Sequence, residues 1–336
     1  MLFSLLSACE SQSLQLTQEP RYENGYELFV EAIKENNLPD VKSIVKAGLS
    51  PTRPSGIGVT TFVHLASEWG RLDILRYFID ELNIDPSITL SRGSSTPLHL
   101  AIWWRRQDVF TFLIKAGANP RASSYHGEPI HVAALTGNLE AVRYLIKEAQ
   151  VDPKASDNKK GKQPIHFAAQ AGHSNIIDYL VKEEKVDPKV KTSQGNTLIH
   201  LAARRRLSLY ASESGLLATI SYLIHQFQAD PEAKNNAGRT PLHLAAKRNM
   251  LSMVQLLIEN IRVSPEPTDH QGKTPLHLAA ESNNIEVVKY LIEQAKVNPT
   301  PIDNQLQTPL SLAKAKKRQE VVDYLKKIHP TSWAIM

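Results

Sequence analysis

The residues of this 336-residue chain best suited to chemistry are its twelve histidines. Seven of them, His64, His99, His131, His166, His200, His243 and His277, recur at intervals of 35, 32, 35, 34, 43 and 34 residues. One histidine per repeated unit places neighbours about 10 Å apart, the usual spacing of packed helices. A shared metal needs its ligands within about 2 Å of the ion. The seven are therefore expected to be structural. His126, His173, His225, His270 and His329 show no ligand spacing either, so neither a metal nor a cofactor is expected.

Other catalytic patterns are missing from the sequence. It has no HExxH, no Gly-rich phosphate loop, and no Ser-His-Asp order on a strand-turn-helix pattern. Gly161-Lys162 has no upstream glycine in Walker spacing and reads as a loop tip. The expectation is a protein that is not an enzyme. The single cysteine, Cys9, excludes an intramolecular disulfide and a cysteine-based zinc site. Leu6-Ser7-Ala8-Cys9 resembles a bacterial lipobox, although no basic residue precedes the short apolar stretch. Lipidation at Cys9 is thus one reading, and an apolar N-terminal cap is the other. A net charge of +5 is modest for this length and falls short of a nucleic-acid-binding signature.

The elements that carry the histidines repeat with them. Thr96-Pro97-Leu98-His99, Thr240-Pro241-Leu242-His243 and Thr274-Pro275-Leu276-His277 are the cleanest copies of one tetrapeptide. A second marker keeps the same period: Asp, Asn or Ser before proline, as at Asp85-Pro86, Asp152-Pro153, Asp187-Pro188 and Asn298-Pro299. Between the two markers lie a short helix, a turn and a longer amphipathic helix; Val142, Leu145 and Ile146 give its buried face. Proline suits a first helical turn, the threonine before it can cap the helix, and the later proline is expected to stop the second helix. Small pairs such as Ala133-Ala134 and Ala245-Ala246 permit close helix packing.

These residues resemble the ankyrin repeat, with its Thr-Pro-Leu-His-x-Ala signature. The resemblance implies an all-α ankyrin-repeat solenoid of about nine helix-turn-helix units joined by β-turn fingers. The repeat domain is placed at 25–329, after an apolar and polar extension at 1–24 and before a tail at 330–336. The ninth unit, Thr308-Pro309-Leu310-Ser311, replaces the motif histidine with serine. The stretched interval between His200 and His243 is read as a long loop at 204–217, and loops on rigid scaffolds often carry function.

In the family the variable residues after Ala-Ala point outward on a concave face, and the motif histidine ties a turn to its neighbour. Carried over, partner contacts fall on Trp69, Trp103, Trp104 and Leu135, and on a basic stretch of Arg204, Arg205, Lys247 and Arg248. Tryptophan is enriched in binding hot spots, and arginine supplies bidentate contacts to carboxylate or phosphate. The implied function is a monomeric, non-enzymatic protein-interaction scaffold, cytoplasmic or, as an effector of an intracellular bacterium, in the host cytosol. Two weaker readings compete: an anionic ligand (nucleic acid, itself not expected, or a phospholipid surface) on the basic stretch, and a lipoprotein anchored at the bacterial envelope through Cys9, with membrane attachment expected only if Cys9 is lipidated.

Overall fold

The computed structural model describes residues 20–55, 60–90, 95–157, 159–204 and 210–328. Among them are eighteen α-helices and no strand. The helices form nine consecutive pairs. The chain divides into two compact units, residues 1–116 and 117–336, and each is described by itself.

The first unit holds α1 (Pro20–Lys34) and α2 (Leu38–Lys46), α3 (Phe62–Glu68) and α4 (Leu72–Arg76), and α5 (Pro97–Trp103) and α6 (Gln107–Lys115). The second holds six pairs: α7 (Pro129–Thr136) and α8 (Leu139–Lys147), α9 (Pro164–Ala171) and α10 (Ser174–Lys182), α11 (Leu198–Ala202) and α12 (Glu213–Phe227). They continue with α13 (Pro241–Lys247) and α14 (Leu251–Gln255), α15 (Pro275–Glu281) and α16 (Ile285–Glu293), and α17 (Pro309–Ala315) and α18 (Gln319–Ile328). Helix α1 begins at Pro20, inside the stretch read from sequence as a polar extension; proline is favoured at a first helical turn.

Within each unit, first helices pack on first helices and second helices on second helices. The paired alanines explain the closeness of the inner row: Ala133, Ala134, Ala168, Ala169, Ala245, Ala246, Ala279 and Ala280 are all fully buried. On the outer row, tyrosines bridge successive second helices. Tyr290 donates to Glu259 at 2.9 Å, Tyr324 to Glu293 at 2.7 Å, and Tyr222 to Asp178.

The ends of the second helices differ from the sequence expectation. Proline does not stop them: α8 ends at Lys147, well before Pro153. Instead the helix widens by one residue, with Ala149 N–H donating to Tyr144 C=O and Ala295 N–H to Tyr290 C=O, each five residues back. A left-handed residue then follows (Gln150 at φ 54°, Lys185 at 54°, Lys296 at 55°) and turns the chain. The next N–H, from Val151, Val186 or Val297, closes on a carbonyl six residues earlier. The aspartate before proline serves the following turn, since Asp152 and Asp187 each accept the N–H two residues on at 2.8 Å.

The expected loop at 204–217 is also corrected. Residues 213–217 are helical, because α12 is 15 residues long where α8, α10 and α16 have nine. Ser212 caps it by accepting from Gly215 N–H at 3.0 Å, and Leu216, Ile220 and Leu223 recur at helical spacing and are buried. Much of the added sequence is therefore an extra helical turn.

The fingers of the second unit bond to one another. Asn236 N–H donates to Gln194 C=O at 3.1 Å, His270 to Ala237 at 3.1 Å and Asn304 to Gln271 at 2.9 Å. This ladder of backbone bonds holds successive finger tips in register.

Candidate functional site

The motif histidines occupy the joint between finger and first helix, and all seven are buried. The backbone N–H of the helix-capping residue points at Nδ1: Thr96 at 3.2 Å, Glu128 at 3.0 Å, Gln163 at 2.9 Å, Thr240 at 3.1 Å and Thr274 at 3.0 Å. A backbone N–H only donates, so Nδ1 accepts and the ring proton sits on Nε2. That proton is given to the carbonyl of the next finger: His64 to Ser95 at 3.1 Å, His131 to Ala155 at 2.9 Å, His200 to Arg239 at 2.8 Å, His243 to Lys273 at 2.9 Å and His277 to Gln307 at 3.0 Å. Burial lowers the pKa of His64, His166, His200 and His243 to about 4, and pushes His131 and His277 down as well. These rings are neutral; those of His64, His131, His200, His243 and His277 are bonded at both nitrogens, whereas His166 is bonded at Nδ1 alone.

The threonine hydroxyls serve the helix starts as expected at Thr197 and Thr308, which accept from the N–H three residues on. Those of Thr61, Thr96 and Thr240 lie 2.8, 2.9 and 3.0 Å from the histidine Nδ1.

A second set of stitches joins four of the first helices to the next turn. Arg106 Nε donates to Glu68 C=O at 2.9 Å, His173 Nε2 to Leu135 C=O at 3.2 Å, Asn284 to Ala246 C=O at 2.7 Å and Arg318 to Glu281 C=O at 3.1 Å. His173 is thereby structural. Among the described residues no group of three or more His, Cys, Asp or Glu side chains could hold a metal, and no helix is long and apolar enough to cross a membrane.

The predicted contact residues fall differently in the two units. In the first, Trp69 and Trp104 are the C-caps of α3 and α5; Trp69 and Trp103 are half-buried, and Trp104 is 44 % exposed. In the second, Leu135 is only 6 % exposed and belongs to the core, so it leaves the proposed contact set. It lies in α7, every residue of which is buried. Arg205 and Cys9 lie outside the described residues.

Arg204, Lys247 and Arg248 come together in one cleft of about 460 Å³. Its walls are two fingers, bearing Gln194, Asn196, Asn235 and Asn236, and the ends of α11 and α13. A fourth cation lines it that the sequence reading missed: Arg239, at the foot of a finger. The signal was its place just before a Thr-Pro-Leu-His copy, which aims a finger residue at the inner helix row. Among the described residues that line the cleft there is no carboxylate. Arg239 pairs with the buried Asp269 at 3.0 Å. Burial would raise Asp269, but Arg239 and the N–H groups of Lys273 and Gln271 hold it below its ordinary value. Lys247 is pushed down by burial first and then by Arg239, with Arg248 and Lys273 adding to the repulsion. Glu281 opposes this, yet it is shared with Lys273 at 3.8 Å and Lys316 at 4.0 Å. The cleft therefore concentrates positive charge.

A family model described as ankyrin repeats (3 copies) matches residues 29–124, 130–209, 207–303 and 262–332. The chain belongs to the ankyrin-repeat family. No curated protein matches it. Ankyrin repeats generally mediate protein–protein interaction and are generally non-enzymatic scaffolds. The histidine joints and finger ladder described above are, in these ankyrin repeats, the framework on which such contacts are displayed.

Proposed function

We propose that the chain is a non-enzymatic recognition scaffold whose second unit takes an acidic segment of a protein partner in the Arg204–Arg239–Lys247–Arg248 cleft. The observation that carries this is a polar cleft whose described lining residues include four cations and no carboxylate. Complementary charge at such a site favours encounter with acidic partners and excludes basic ones. The finger carboxamides supply donors and acceptors suited to a peptide backbone. In the first unit, Trp104 with Trp69 and Trp103 offers a separate aromatic contact for an apolar segment.

The test is fluorescence anisotropy of a labelled Asp/Glu-rich peptide titrated with the full chain. Lys247→Glu/Arg248→Glu is expected to weaken binding by roughly tenfold or more, with unchanged circular dichroism. Equal affinity of the variant would overturn the cleft assignment. A labelled single-stranded oligonucleotide is the second probe. If it alone binds, with log affinity falling linearly in log salt, the anionic-ligand reading replaces the protein partner.

A further inference from the structure

Two fingers of the second unit spend the cation at their foot on the first helix of the same repeat. Lys162 Nζ donates to Gln170 Oε1 at 2.5 Å, and Lys273 Nζ lies 3.8 Å from Glu281 Oε2, each eight residues on. Gln170 lies in α9 and Glu281 ends α15, so each pair ties a finger to its own helix.

In the repeat between them the same two places are held by Arg239 and Lys247, and both are cations. That pair does not form. Arg239 turns to the next finger instead, its Nε donating to Asp269 Oδ2 at 3.0 Å. Asp269 is buried, and its other oxygen accepts from the N–H groups of Gln271 and Lys273 at 2.9 and 3.0 Å. The carboxylate is thus a fixed anchor for the guanidinium. The bond uses Nε alone; among the described residues the two Nη groups of Arg239 make no hydrogen bond. The Lys247 ammonium makes no hydrogen bond or ion pair among them either, and Glu281, the carboxylate that acts on it, is shared by Lys273 and Lys316. The Arg248 side chain is exposed and likewise unpaired among the described residues. The end of α13 therefore carries two positive charges, on Lys247 and Arg248, with no counter-charge paired to either.

Charge and donor geometry select the ligand. A side-chain carboxylate brings one charge and two oxygens, and a phosphodiester also brings one charge per phosphate. A phosphate monoester brings nearly two charges at neutral pH and three acceptor oxygens. It matches two unpaired cations beside the open fork of an arginine.

We propose that the cleft seats a phosphorylated serine or threonine of the protein partner, with Lys247, Arg248 and the Nη groups of Arg239 as its donors. This rests on the acidic-partner reading above and narrows it from an acidic segment to a dianion.

The experiment is fluorescence anisotropy with three versions of one labelled Asp/Glu-rich peptide, titrated with the full chain. The versions differ only at a central residue, which is phosphoserine, glutamate or serine. The phosphoserine peptide is expected to bind roughly tenfold or more tightly than the glutamate one. Lys247→Gln, which copies the Lys162–Gln170 arrangement, is expected to cut that ratio by about threefold or more, with unchanged circular dichroism. Equal affinity of the phosphoserine and glutamate peptides overturns the phosphate assignment and leaves the acidic-segment reading standing. No binding of any of the three overturns both. A ratio unchanged in Lys247→Gln puts the phosphate elsewhere and also overturns the proposal. So does tighter binding of a single-stranded oligonucleotide than of the phosphoserine peptide, which would assign the cleft to phosphodiesters.

Discussion

The motif histidines and the residues that end the same helices, four or five positions on, obey opposite rules. The rings of His131, His200, His243 and His277 reach Nδ1 and Nε2 partners fixed by the backbone, as at His243 with Thr240 and Lys273. The helix ends require only a backbone N–H: Trp69 to Leu65 C=O at 2.9 Å, Trp104 to Leu100 C=O at 2.9 Å, Arg248 to Ala245 C=O at 3.1 Å. Any side chain can supply that bond. The first set is therefore uniform, and the second carries tryptophan in one unit and a cation in the other. Constraint and information are separated by about one helical turn.

The sharpest way to break this contrast is to remove a ring. His243→Ala leaves a Thr240 N–H and a Lys273 carbonyl unpaired in a buried joint, which is expected to cost about 2–4 kcal/mol in urea denaturation. A loss below about 0.5 kcal/mol, the range of surface substitutions, would show that the ring is not a joint. Acid should act on several joints together. Four of these histidines have folded pKa values near 4 against an ordinary 6.5. The unfolded chain thus binds more protons between those values. Their contribution is complete above about pH 6.5 and is lost as pH falls toward 4, on the order of 3 kcal/mol per ring. Urea titrations across that window test the sign; stability rising on acidification would refute it.

Smaller effects are expected at the helix ends. Lys247→Gln removes a charge that burial and Arg239 disfavour, and should hold or slightly raise the melting temperature while weakening acidic-peptide binding. A clear drop in stability would make Lys247 structural. Trp104→Ser should change stability by less than about 0.5 kcal/mol; a larger loss would mean that the ring is packed as a core residue.

The parts of the molecule legible in the sequence are those fixed by short-range rules. The Thr-Pro-Leu-His period located the nine helix pairs, and the alanine pairs located the inner row. The cleft was only partly legible. Arg204, Lys247 and Arg248 follow from helix register, but Arg239 enters from a finger whose aim depends on hydrogen bonds to Asn235 and Asp269. Leu135 was misplaced because its column was taken as uniformly exposed, whereas α7 is buried along its whole length. The long loop at 204–217 failed for a related reason: added residues can lengthen a helix as readily as a loop, and interval length alone does not distinguish them.

The one-way reach of the histidines has a consequence for synthesis. The Nε2 protons of His64, His200, His243 and His277 find their acceptors downstream, 31 residues on for His64, 39 for His200 and 30 for His243 and His277. A unit leaving the ribosome therefore carries one buried donor that stays unanswered until the following finger emerges. Folding that proceeds from the N-terminus must leave its newest joint open, and each new finger completes the unit behind it. Ser311, bonded to its own Thr308, is the first motif position that need not wait.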